Sequence, residues 1–356
     1  MGWFRKVVED LDTSMIKQTR IIRNKSDANT VKKMQTGDNP KLAGSDLFWY
    51  PMSSPLRRLI GLIALVSLVI AGCAAPPPLQ RPVVSAPPAT PVPVVKPEPR
   101  IGLALGGGAA RGFAHVGVIQ VLEEAGIRPQ MVVGTSAGSL VAAIYASGRS
   151  GVQLQRIAQD MEEASLADWT LPFLGRGFLR GDALARYVNA QVHGGLIESM
   201  PLPLGIVATD FHTGEGILFR RGDVGLAVRA SSAVPSVFQP VRISGRDYVD
   251  GGLVAPVPVR YAREMGANLV IAVDISTTPQ SNNADGPLQV VLQTFTIMGK
   301  SINAFELRGA DVVVRPALSG VGGADFAARR QSIDAGRAAM VAALPLLKAK
   351  LAGWMQ

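Results

Sequence analysis

The chain has 356 residues, 47% of them hydrophobic and 18% charged, enough apolar material for one large core or two modest ones. Its net charge of +9 is concentrated before residue 74, the remainder carrying only +4, and no Lys/Arg stripe is interleaved with aromatics, so composition gives no nucleic-acid footprint. A single cysteine, Cys73, excludes an internal disulfide and a metal centre built on several thiolates.

In chain order, residues 1–51 are polar and charged, and the sequence then restarts at Met52 with Arg57-Arg58 followed by an apolar run over residues 59–71. That run falls short of the roughly 20 residues that span a bilayer. A basic region, a short apolar stretch and small residues before a cut describe a secretory signal. Ile70-Ala71-Gly72-Cys73 resembles the lipobox of bacterial lipoproteins, in which the cysteine is lipidated and becomes the amino terminus. The expectation is therefore a signal over residues 52–73, with 1–51 an over-extended or disordered N-terminus and Met52 the initiator; the competing reading is a buried core helix. Anchoring at Cys73 would place the protein in a bacterial cell envelope. Ala74, where an Asp would signal inner-membrane retention in some bacteria, turns the choice toward the outer membrane. Residues 74–99 carry Pro at nearly every second or third position, an extended linker that cannot build a core.

From residue 100 to 356 short apolar runs alternate with helical patterns, the signature of strand–helix units around a mostly parallel sheet. Strands are predicted over 101–105, 131–133, 269–273 and 312–314, and a hairpin over 204–209 and 217–220 around the turn at His212. Helices are predicted over 113–125, 137–147, 288–306 and 326–351. There is no internal repeat, which argues against solenoids and propellers.

Two glycine motifs follow predicted strands. Gly134-Thr-Ser136-Ala-Gly138 leads from strand to helix, the setting of a nucleophile elbow, in which a sharp turn lifts the serine hydroxyl clear of the sheet. The same residues also suit a plain Ser-capped helix start. Gly106-Gly107-Gly108-Ala-Ala-Arg111-Gly112 can aim backbone N–H groups into one concavity, suited to an oxyanion or a phosphate. As a dinucleotide loop its spacing is one residue too long and no acidic residue ends the second strand; a phosphate loop would need Gly-Lys-Ser/Thr. A tight turn remains the bland alternative.

The chain has three histidines, His115, His193 and His212, and none follows residue 212, so the order Ser, Asp, His is poorly served. The other candidate base is Asp250, which ends a strand-like run over 246–249 and precedes Gly251-Gly252; Asp-Gly-Gly is also ordinary turn chemistry. Arg220, Arg221, Arg242 and Arg246, beside predicted hairpins, read as solvated surface or as contacts for anionic head groups.

Taken in order, Gly106-Gly-Gly-x-x-Arg111-Gly112, Gly134-x-Ser136-x-Gly138, Arg229-Ala-Ser-Ser-Ala-Val-Pro235 with Phe238-x-Pro240-Val241, and Asp250-Gly-Gly252 resemble the patatin-like phospholipase family. The likeness covers roughly residues 101–274. After Leu253, relatives often carry an Asn before Pro-Val, whereas this chain has Val254-Ala255-Pro256-Val257, which puts a local cap in doubt. The resemblance implies a three-layer α/β/α patatin-like sandwich with a mostly parallel sheet, and a Ser136/Asp250 dyad in place of a triad. It implies an oxyanion hole at Gly106, Gly107 and Gly108, supported by Arg111, Gly112, Gly134, Gly138, Gly251 and Gly252, with no metal and no cofactor. Arg111 is expected to brace the loop through backbone carbonyls. The implied activity is serine acyl hydrolysis of a phospholipid, lysophospholipid or other lipid ester at a membrane surface. A non-catalytic lipoprotein that binds lipid or acts as a scaffold is the alternative.

Overall fold

Five-residue runs such as Ile-Gly-Leu-Ala-Leu and Leu-Val-Ile-Ala-Val are too short for helices and apolar at every position, the composition of strands covered on both faces. The computed structural model, which describes residues 98–163, 168, 177–279 and 286–355, builds its sheet around them. The first half comprises β1 (Ile101–Leu105), α1 (Ala114–Glu124), β2 (Met131–Thr135), α2 (Ala137–Ala146), α3 (Gly151–Asp160), β3 (Gly177–Leu179) and α4 (Asp182–Gln191). Then come β4 (Leu204–Asp210), β5 (Gly216–Phe219), α5 (Val224–Ser231), β6 (Ser236–Phe238), β7 (Val241–Ile243) and β8 (Arg246–Asp250). The last part holds α6 (Val259–Glu264), β9 (Leu269–Val273), α7 (Pro287–Glu306), β10 (Val312–Val314) and α8 (Arg329–Met355).

The main sheet runs β10-β9-β1-β2-β4-β8-β7, with β5 also paired to β4. The five strands from β10 to β4 are parallel, whereas β5, β8 and β7 add antiparallel pairs at one side. Because side chains alternate across a strand, each strand feeds two cores. Leu103, Leu105, Val132, Ile206 and Ile271 join one buried cluster with residues of α1, α2 and α8. Ala104, Val133, Val207, Val270 and Ala272 join another with Val259, Tyr261, Ala262 and Met265 around α6. The result is the expected three-layer α/β/α sandwich. On the first face α1 and α8 cross with their backbones in contact: a Cβ on Gly117 would meet the Ile333 carbonyl, and one on Gly336 the Ala114 carbonyl.

The expected hairpin forms between β4 and β5. Two predicted helices begin later than their apolar patterns. A 3-10 turn over Ala109–Phe113 precedes α1, and another over Phe326–Ala328 precedes α8, held by the Asp325 carboxylate accepting the Ala328 N–H at 3.1 Å. The predicted signal, Cys73 and almost all of the linker lie outside the described residues.

Candidate active site

β1 lies between β9 and β2, and the sheet's winding reverses between β1 and β9, so the C-terminal end of β1 opens at the point where α/β folds place ligands, one strand from the end of β2. The glycine loop leaves β1 there and Ser136 leaves β2. Register brings the third component in: Thr135 pairs with Val207 of β4, and the next β4 residue, Ala208, pairs with Asp250 at the end of β8. Residues 114 positions apart in sequence thus sit level across one intervening strand and line the same cavity of about 240 Å3.

Ser136 has φ 52° and ψ −125°, a left-handed conformation costing a non-glycine residue on the order of 1–3 kcal/mol. The turn closes because a Cβ on Gly134 would strike the Gly138 carbonyl and one on Gly138 the Leu105 carbonyl. Ser231, fully buried on α5, pins the strained residue: its Oγ accepts the Ser136 N–H at 2.9 Å and donates to the Val207 carbonyl at 2.6 Å. Sequence reasoning quoted Ser231 within its motif but assigned it no role.

Asp250 is 6% exposed. Its N–H donates to the Ala233 carbonyl at 3.0 Å, and its Oδ1 accepts the Gly252 N–H at 2.6 Å. Burial raises the carboxyl pKa to about 6, against the opposing pull of the Gly252 N–H and the Ser136 hydroxyl. Oδ2 is buried and makes no hydrogen bond of proper geometry, so the approach of Ser136 is loose, as is common before substrate arrives.

The glycine loop departs from expectation. The Gly106 N–H donates to Val273 O at 3.0 Å and the Gly107 N–H to Pro256 O at 2.9 Å, so neither is available to an oxyanion. Gly106 packs behind the site, against Val257. Gly108 and Ala109 line the cavity, and among the described residues their N–H groups have no recorded acceptor. These two free N–H groups sit at the turn where Ala109 takes φ 51°. Gly112 abuts Ala137, Gly251 abuts the Val207 carbonyl, and Gly252 lines the cavity beside Asp250.

His115 is fully buried behind this loop. A carbonyl only accepts, so its contact with Gly106 O at 2.8 Å makes Nε2 the protonated nitrogen and leaves Nδ1 unpaired. Burial drives its pKa down to about 4, so it is a neutral brace. His193 sits beside Arg149, at 2.9 Å, and His212 lies 3.9 Å from Asp247, both away from the cavity. Arg111 lines the cavity instead of bracing carbonyls: its Nε is buried without a partner, and burial lowers its pKa while Asp274 opposes the shift. Arg220 and Arg221 border a separate hollow near Met265, and the exposed Arg242 and Arg246 face Asp247 and Asp210. Phe295, Thr296, Gly299 and Lys300 of α7 complete the wall, a contribution the helical pattern did not disclose. Among the described residues, no three His, Cys, Asp or Glu side chains gather where an ion would sit.

Residues 103–263 match the family model "Patatin-like phospholipase". An uncharacterized NTE family protein of Mycobacterium tuberculosis is 34% identical over 207 residues, 58% of this chain and 57% of that protein. Another, of Mycobacterium bovis, is 32% identical over 271 residues, 68% of this chain and 46% of that protein. The mouse patatin-like phospholipase domain-containing protein 6 is 33% identical over 190 residues, 51% of this chain but 14% of its own length. The chain thus spans little more than half of the curated relatives it matches, or less. Among solved structures, VipD from Legionella pneumophila gives a TM-score of 0.47 at 16% identity, covering 71% of this chain and 67% of that one.

Proposed function

Residues 103–263 form a domain of the patatin-like phospholipase family, and from that premise we propose that the chain is a serine acyl hydrolase of lipid esters working through Ser136 and Asp250. The observation that supports it is a serine on a strained elbow in the same cavity as a buried carboxyl whose pKa is raised to about 6. A carboxylate of ordinary pKa is a poor base for a hydroxyl; burial narrows the gap, and proton transfer concerted with attack avoids a free alkoxide.

In this reading Ser136 Oγ attacks the ester carbonyl carbon as its proton passes to Asp250 Oδ2. The tetrahedral oxyanion is held by the N–H groups of Gly108 and Ala109, with the amino end of α2 adding favourable potential. Collapse breaks the bond to the alcohol oxygen, which takes the proton back from Asp250. Water then repeats the sequence on the acyl-serine, releasing a carboxylic acid and restoring Ser136. Arg111 and Lys300, both lining the cavity, supply positive charge suited to an anionic head group.

Labelling by a fluorophosphonate probe tests the proposal, since only an activated serine reacts. The wild type should label and Ser136→Ala should not. A folded wild type that fails to label would favour the non-catalytic lipid-binding alternative. We propose further that Cys73 carries a lipid anchor holding the domain at the bacterial envelope; mass spectrometry of the native N-terminal peptide should show a lipidated cysteine, and an unmodified Cys73 inside an intact peptide would refute it.

A further inference from the structure

α7 is apolar on both sides. Inward, Phe295, Thr296 and Gly299 wall the cavity, while Asn303 and Glu306 anchor its end, Asn303 Oδ1 accepting the Val257 N–H at 3.1 Å and Glu306 pairing with Arg260 at 2.9 Å. Outward, Val290, Ile297, Met298 and Phe305 are 51–73% exposed and recur at the spacing of a single helical stripe. Thr294 and Ser301 share this exposed face, and an open, largely apolar helix face beside a site marks an interaction surface.

Charge selects the occupant. From Pro287 to Phe305 the helix holds no acidic residue, and Glu306 is turned inward onto Arg260. The exposed charges along and just beyond it are Lys300 and Arg308, the latter stacked 4.9 Å over the Phe305 ring. A largely apolar face whose exposed charges between residues 287 and 309 are all cations fits the interface of a bilayer bearing anionic head groups. A second copy of the chain would set these like charges against each other. Among the described residues no helix is long and apolar enough to cross a membrane, so α7 would lie on the bilayer.

We infer that the outer face of α7 docks on an anionic lipid bilayer, bringing the cavity it walls to its substrate; the choice of occupant rests on the lipid-hydrolase reading. The test uses the full chain with Cys73→Ser, so that one introduced thiol carries a bimane fluorophore, placed at Met298→Cys or, as a control, at the equally exposed Val152→Cys of α3. Vesicles of phosphatidylcholine and phosphatidylglycerol in equal parts should blue-shift the probe at 298 and leave that at 152 unchanged, with a smaller shift on pure phosphatidylcholine. No shift at 298, an equal shift at both positions, or a shift at 298 that grows with protein concentration without vesicles would each overturn the docking face, the last assigning it to a second copy or to the chain's own apolar segment. The probe reads contact and not turnover. Failure of the same preparation to label with fluorophosphonate would therefore count against the hydrolase reading alone.

Discussion

At the scale of single residues, the proposed dyad requires that a carboxylate without histidine serve as base. Asp250 has the raised pKa that burial produces, and the same burial makes a stability prediction. The folded carboxyl keeps its proton up to about pH 6 whereas an ordinary one loses it near 3.8, so folding takes up a proton between those values and stability falls as pH rises through them. Asp250→Asn carries no charge and keeps an acceptor for the Gly252 N–H. At pH 8 it should be more stable than wild type by on the order of 3 kcal/mol, and at pH 3 the two should coincide, as read by urea unfolding; a difference independent of pH would show that the carboxyl is not strained by burial. Ser231→Ala leaves the Ser136 N–H and the Val207 carbonyl without their partner, a loss of about 1–3 kcal/mol. Because it unpins the elbow, kcat should fall by about tenfold or more with KM little changed, and an equal effect on both would deny Ser231 a positioning role.

That Ser136 and Asp250 meet in one cavity was legible from the glycines at fixed offsets, the badly placed histidines and the family resemblance. Which loop N–H groups stay free was not. Which N–H groups of a glycine run point into a cavity depends on the carbonyls that capture the others, and Val273 and Pro256 come from far along the chain. The position of Arg111 and the bracing role of His115 are hidden for the same reason.

Among the elements, those carrying fully apolar runs announced themselves: β1, β2, β4, β9 and β10 fall where the composition put them. The short pieces did not. β6, β7 and the six-residue α6 have too few positions to show a period, and their conformation is set by what they pack against. α7 was visible as a helix, but its sequence did not disclose that one side walls the site and the other is open. Gly299, on the inner side, is the most direct probe of that wall. Gly299→Leu adds a helix-favouring residue, worth about 0.5–1 kcal/mol of stability, while its side chain occupies part of a cavity of about 240 Å3. Hydrolysis of long-chain esters should be lost with the melting temperature held or raised. Unchanged kinetics would remove α7 from the substrate's path.

For the molecule as a whole, the motif order along the chain makes sense once the sheet is assembled. Two parallel strands deliver the glycine loop and Ser136, and an antiparallel strand beyond β4 delivers Asp250 at the same level. The mostly parallel sheet was legible from the alternation of apolar runs and helices, and the three-layer arrangement was what the family resemblance implied. The two-faced burial of every central strand confirms it, through a period-2 division between two cores. A cavity at the open end of that sheet and a helix wall with a largely apolar exterior are the features on which the proposed action on lipid rests.

The central claim is that Asp250, with no histidine, activates Ser136. The measurement that meets it most directly is the pH–rate profile of a soluble short-chain p-nitrophenyl ester for wild type, Ser136→Ala, Asp250→Asn and the single variants His193→Ala and His212→Ala. The account predicts no turnover in the first two variants, and a one-proton acidic limb near pH 6 that the histidine variants leave in place. A folded Asp250→Asn that still turns over, or a limb that disappears with either histidine, would contradict it.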